Sequence, residues 1–146
     1  WPDLATSIHV PAVKPYVYTT IIAPKVKKTA EEEKKYSELQ KNAELKEFHS
    51  KHAGDSKFGG NDFEKAKAKL HECFSKLDTT LEDRTWMMGE EMTLADISWI
   101  PLHFVLIGCG YPFHEYPNIV RWAKQFEGRP SFQEGIIKWC PDFSKV

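Results

Sequence analysis

Histidine and cysteine side chains are the groups in this sequence best suited to chemistry, but they are sparsely placed. His49 and His52 are three residues apart, a spacing at which two imidazoles on one helix can face one metal ion. The sequence offers no third ligand nearby, so the pair does not predict a zinc site. Cys73, Cys109 and Cys140 are far apart and odd in number, which indicates free thiols in a reducing compartment.

The remaining candidate residues lack the sequence context of a catalytic centre. His103 stands in an apolar run, where a hydrogen-bonded core histidine is the commoner role, and a catalytic role would require a cleft and a perturbed pKa. Cys109 stands in "GCGY" at a predicted helix end, and its reactivity depends on its pKa. The sequence contains no phosphate-binding glycine loop and no nucleophile elbow. It therefore predicts no catalytic residue and no metal ligand in this chain.

The stretch "TLADIS" at 93–98 predicts a helix start. Thr93 would be the N-cap, and the Asp96 carboxylate three residues later would accept a hydrogen bond from the N–H of Thr93, as in a capping box. A carboxylate in the first turn also suits the positive end of the helix dipole. Ser131 and Glu134 repeat this spacing and predict a second capping box. All four residues are predicted to be structural.

Helix-forming patterns fill most of the chain. Apolar residues recur at helical spacing, charged pairs stand four residues apart, and no segment makes a convincing strand, so the predicted fold class is all-α. The helix "LADISWIPLHFVLIG" is apolar on almost every side, which predicts burial in the middle of the domain, with a kink at Pro101. Because Pro2, Pro11 and Pro15 punctuate the N-terminal stretch, we predict a linker over residues 1–13. We then predict one helical domain over 14–146, with a charged helical extension over 31–52.

Length and composition narrow the class of protein further. A chain of 146 residues is long enough for one domain with a real core, and a net charge of -1 argues against nucleic-acid binding. The sequence shows no membrane-spanning run and no signal peptide, which predicts a cytoplasmic or organelle-interior location. Because it starts at Trp1 without an initiator Met, we expect a fragment or a processed product.

Two segments together resemble the C-terminal helical domain of glutathione transferases: "TWMMGEEMTLADISWIPL" and "YPNIVRWAKQFEGRPSFQ". The family pattern is a Gly before a Ser/Thr-x-x-Asp cap on a buried helix, then a Pro-Asn helix with a Trp, then Arg-Pro before an aromatic residue. The matching positions, in order, are Gly89, Thr93, Ala95, Asp96, Pro101, Pro117, Asn118, Trp122, Arg129, Pro130 and Phe132.

The resemblance implies a site as well as a fold. In this family the helical domain forms walls of a pocket for apolar substrates, whereas a thioredoxin-like N-terminal domain holds glutathione and activates its thiol. The implied pocket candidates are Tyr16, Tyr18, Thr20, Trp99, His103 and Tyr111. Each of them could equally fill the core. No βαβ pattern is present, so glutathione would be a co-substrate only if that other domain exists, and no cofactor is expected in this chain.

Two functions follow from the resemblance. In the first, the chain is a non-catalytic binding or assembly module, an accessory subunit or docking unit with a protein partner. In the second, it is the hydrophobic-substrate half of a glutathione transferase that conjugates glutathione to an apolar electrophile. A small apolar ligand is possible in both. The missing thiol-activating elements and the charged extension favour the first for the chain as given.

Overall fold

The computed structural model describes residues 1–25, 29–43, 45–46 and 60–139, and the described part folds as helices joined by short turns. It contains no β-strand, only an isolated bridge between Trp86 and Gly89, so the predicted all-α class is confirmed. The α-helices are α1 (Pro2–Ile8), α2 (Lys14–Val17), α3 (Ala23–Lys25), α4 (Ala30–Leu39), α5 (Gly60–Thr80), α6 (Leu94–Gly108), α7 (Pro117–Glu127) and α8 (Pro130–Gly135).

The first three helices and the two π-helical turns between them form one continuous N-terminal rod, Pro2–Lys25. The π turns are His9–Val13, which contains Pro11, and Tyr18–Ile22. A proline inside a helix removes a donor and crowds the preceding turn, and helices commonly accommodate such disturbances by bending or widening locally. The rod packs along α5 and α6.

The predicted linker over residues 1–13 is wrong. Ala5, Ile8, Ala12 and Val13 are buried members of the hydrophobic core, so this segment is the first helical layer of the domain. The prolines that suggested a linker are compatible with helix here. Pro2 occupies the first helical turn, where its missing N–H costs nothing.

The charged extension is helical in its first part. Thr29 caps α4 in a capping box with Glu32, and no residue of α4 is buried. The helix ends at Leu39, and Gln40 is extended at φ -71 and ψ 117. The predicted continuous helix over 31–52 is therefore interrupted at Gln40. His49 and His52 lie outside the described residues.

The core is built around α5, whose apolar residues recur every three or four positions. Leu70, Phe74 and Leu77 are fully buried, and the ring of Phe74 contacts Trp99 of α6 at 5.8 Å between ring centroids. Asp78, one residue further along α5, accepts from the N–H groups of Asn118 and Ile119 at 2.9 Å each. Its carboxylate thereby caps α7 from a neighbouring helix.

Asp96 joins three parts of the domain, although it is 0% exposed. Its Oδ2 accepts from the Thr93 N–H at 2.8 Å and from the Thr93 hydroxyl at 3.1 Å, and that hydroxyl accepts from the Ala95 N–H. Its Oδ1 accepts from the Met87 N–H and from Trp122 Nε1–H, both at 2.9 Å. The carboxylate therefore starts α6 and also ties it to the preceding turn and to α7.

The second predicted capping box, Ser131 with Glu134, does not form. The N-cap of α8 is Arg129, no side chain caps the helix, and Ser131 lies inside it. Pro130 is the first helical residue, and its fixed φ makes it a good start for a helix. Glu134 instead accepts an ion-pair hydrogen bond from Lys138 at 2.8 Å.

Candidate functional site

Three of the six pocket candidates meet at the C-terminal end of α6. The Tyr16 ring stacks on Phe63 at 5.4 Å and meets Tyr111 edge-on at 5.5 Å. The Thr20 hydroxyl donates to the Tyr16 carbonyl at 2.8 Å, and the Thr20 side chain lies close enough to Cys109 to affect the pKa of its thiol. We call the group Tyr16, Thr20, Cys109 and Tyr111 the tyrosine end of the domain.

Trp99 and His103 lie deeper and away from any opening. Trp99 is 0% exposed, and its Nε1–H donates to the Trp1 carbonyl at 3.1 Å. His103 is 6% exposed, and its ring lies 4.3 Å from that of Phe113. Burial lowers the pKa of His103 to about 4, because the interior disfavours the imidazolium. His103 is thus a neutral core histidine, and Trp99 is a core aromatic residue.

Tyr18 is half-buried in the second π turn. Of the six candidates, then, the structure groups Tyr16, Thr20 and Tyr111 at the tyrosine end. Their contact with a ligand stays a prediction. Burial raises the pKa of Tyr16 and Tyr111, so both are neutral phenols at physiological pH.

The two thiols of the described region are not activated. Burial, together with Glu72, raises the pKa of Cys73. Burial also raises the pKa of Cys109, although the nearby Thr20 side chain opposes the shift. Nucleophilic cysteines require a lowered pKa, so neither thiol is poised for covalent catalysis. The part of the chain that the structure describes contains no group of three or more metal-ligating side chains.

One side of α6 is apolar and uncovered. Leu94 is 75% exposed and Ile97 49% exposed, and Pro101, seven residues after Leu94, is also exposed. From the rod, Val10 is 67% exposed and lines a depression together with Ser98 and Leu102 of α6. We call these four residues the α6 face.

A depression of about 350 Å³ lies between the rod and α6, beside the α6 face, and is lined by Ala5, Thr6, His9, Val10, Ser98 and Leu102. Its hydroxyl groups already have partners. Thr6 donates to the Pro2 carbonyl at 3.1 Å, and Ser98 donates to the Ala95 carbonyl at 2.7 Å. Both hydroxyl donors are therefore already used, and the exposed His9 is the remaining polar side chain of a mostly apolar lining.

The sequence interpretation missed the α6 face. An all-round apolar helix predicts burial, and the other side of α6 is buried, with Trp99, Ile100 and Phe104 in the core. The signal for a second contact surface was present in the same pattern, because Leu94, Ile97 and Pro101 form a stripe at helical spacing. No described element covers the side chains of Leu94 and Ile97. None of the described helices is long and apolar enough to cross a membrane.

Comparison with known proteins decides the family. Residues 7–130 match the family model described as Glutathione S-transferase, C-terminal domain. The chain belongs to this family. The match begins inside the N-terminal rod, consistent with the rod being part of the domain, and the predicted resemblance is confirmed.

The curated relatives carry transferase names. A segment of 73 residues is 30% identical to Glutathione S-transferase GstB of Escherichia coli (strain K12), covering 48% of this chain and 35% of that protein. A segment of 64 residues is 29% identical to Glutathione S-transferase-like protein tpcF of Aspergillus fumigatus, covering 40% of this chain and 28% of that protein. The matches thus span about a third of these relatives. No solved structure matches the chain.

Proposed function

We propose that this glutathione transferase C-terminal domain acts as a non-catalytic binding module that docks onto another protein through its α6 face. The observation that carries the proposal is the stripe of Leu94, Ile97 and Pro101, which leaves large apolar side chains in water. Contiguous exposed apolar surface marks interaction sites in soluble proteins. The depression beside it would receive an apolar side chain of the partner.

The chemistry of the described groups supports a non-catalytic role. Attack by glutathione on an electrophile requires a side chain that stabilises the thiolate. His103 is buried and neutral, and the two described thiols have raised pKa values. We therefore assign recognition, rather than thiol activation, to this domain.

A second function has its own support. Tyr16, Thr20 and Tyr111 converge at one end of α6, and the named relatives are transferases. In this alternative, the domain is the apolar-substrate half of a glutathione transferase, the tyrosine end contacts the electrophile, and the α6 face packs against the glutathione-binding half of the same polypeptide.

The assembly of the full gene product, isolated from its native source, tests the docking proposal. Replacing Leu94 and Ile97 together with lysine would place two charges on the α6 face. We expect the native complex to dissociate on size-exclusion chromatography, while the helical circular dichroism spectrum stays unchanged. The matched control is Leu39→Lys on α4, because Leu39 is 69% exposed and belongs to a different helix.

An unchanged elution volume for the double variant would overturn the proposal. The glutathione chemistry of the full gene product separates the two functions. A non-catalytic module should neither be retained on glutathione-agarose nor conjugate glutathione to an aryl halide, whereas the complete transferase of the alternative should do both. Retention or conjugation by the full gene product would contradict a non-catalytic role.

A further inference from the structure

Three side chains from different parts of the fold form one hydrogen-bonded chain. His71 lies on α5, Tyr111 follows α6, and Tyr116 precedes α7. His71 Nδ1 lies 2.7 Å from the Tyr116 hydroxyl, which lies 3.3 Å from the Tyr111 hydroxyl. His71 is exposed, whereas Tyr116 and Tyr111 are 4% and 8% exposed. This series of hydrogen bonds therefore runs from solvent into the core.

The tautomer of neutral His71 sets the direction of these hydrogen bonds. Each phenol has one O–H to donate, and a neutral imidazole protonated at Nε2 accepts at Nδ1. Tyr116 then donates to His71, and Tyr111 donates to Tyr116. Both buried phenols have an acceptor in this arrangement.

Protonation of His71 reverses the direction. An imidazolium donates at both nitrogens, so Nδ1–H would donate to the Tyr116 oxygen. Tyr116 would then donate to Tyr111. The Tyr111 O–H would be left without an acceptor among the described residues, and a buried donor without a partner is destabilising.

We propose that His71 is a pH-sensitive latch for the segment 109–116, which connects α6 to α7. Neutral His71 holds the segment against α5 through Tyr116. The cationic form no longer accepts at Nδ1, and the reversed hydrogen bonds leave the Tyr111 O–H without an acceptor, which weakens the packing of the segment. Because this segment carries Cys109 and Tyr111, acid loosens the tyrosine end of the domain. The latch depends only on the fold, not on which of the two functions the domain performs.

Charged groups of both signs flank His71 on α5 and stand on the elements packed against it. Lys67 lies one turn earlier on α5 and pairs with Glu64 at 2.7 Å. Glu72 adjoins His71, and Glu115 in the latched segment acts on Tyr111. From α7, Arg121 donates to the Leu81 carbonyl just beyond the other end of α5, away from His71.

Thermal unfolding between pH 8 and pH 5 tests the latch. His71→Asn is the decisive variant, because the Asn Oδ1 can accept near the Nδ1 position but cannot be protonated. We expect the wild-type midpoint to fall by about 3 °C more than that of the variant over this range. His114→Asn, another exposed histidine, is the matched control and should follow the wild type. His103 titrates in all three proteins and cancels in the difference.

Two further readouts keep the test decisive. Tyr116→Phe removes the latch and should also lose the pH-dependent difference. Nitrogen NMR shifts of His71 at pH 8 should show a bare Nδ1 and a protonated Nε2. Parallel pH curves for wild type and His71→Asn, or a proton on Nδ1 at pH 8, would overturn the proposal.

Discussion

The buried carboxylate of Asp96 gives the sharpest prediction for stability. Asp96→Ala removes the acceptor of the Met87 N–H, the Trp122 Nε1–H and the Thr93 N–H. Met87 and Trp122 are 0% and 1% exposed, so water cannot readily replace the acceptor, whereas Thr93 is half-buried. Each unsatisfied buried donor costs about 1–3 kcal/mol, which gives a total loss of about 4 kcal/mol. Domains of this size are stable by about 5–15 kcal/mol.

Urea unfolding followed by circular dichroism measures this loss. Asp83→Ala is the control, because the Asp83 side chain is 86% exposed and its change should stay within about 0.5 kcal/mol. A double-mutant cycle with Trp122→Phe should be non-additive, since Asp96 and Trp122 share a hydrogen bond. A loss below about 1 kcal/mol for Asp96→Ala, or simple additivity in the cycle, would refute the argument that this carboxylate joins three elements.

Three further predictions concern histidine, a helix cap and a turn. Burial lowers the pKa of His103 to about 4, whereas an unfolded histidine titrates near 6.5. The free energy of unfolding that depends on this group is therefore highest above about pH 6.5 and falls as the pH falls towards 4. His103→Leu should flatten that part of a plot of urea midpoint against pH. Asp78→Ala removes the acceptor of the Asn118 N–H and should cost about 1–2 kcal/mol in the same assay. Gly110→Ala should cost about 1 kcal/mol, because Gly110 has a φ of +72, and Gly135→Ala, without a positive φ, should cost less.

Local signals in the sequence predicted local structure well. The Thr93–Asp96 spacing alone indicated the start of α6, because a capping box is made within one turn of chain. The same rule failed at Ser131. There, the helix begins at Pro130, and the spacing of Ser131 and Glu134 alone does not show which residue is the first helical one. The linker predicted from the prolines before residue 16 was wrong for a similar reason. Whether a helix accommodates a proline depends on the geometry of the turn around it, which the sequence does not show.

The candidate site was only partly predictable, since tertiary packing decides which side chains meet. The family resemblance indicated Tyr16, Thr20 and Tyr111, but no spacing in the sequence shows that these residues converge, because Tyr111 is far along the chain from the other two. The latch between His71 and Tyr116 had no sequence signal for the same reason. The exposure of the α6 face could not be predicted from the composition of α6, which is apolar on almost every side. An apolar helix does not reveal which of its sides the domain itself covers.

The most direct test of the docking claim is site-specific photo-crosslinking from position 97 in the full gene product, within its native source. A benzophenone side chain at Ile97 should form one defined adduct with a separate polypeptide, while the same group at Lys124, on the exposed side of α7, should form none. A crosslink that closes only within the same polypeptide would instead favour the transferase-half alternative. Equal or absent crosslinking at both positions would contradict the claim that the α6 face is a contact surface.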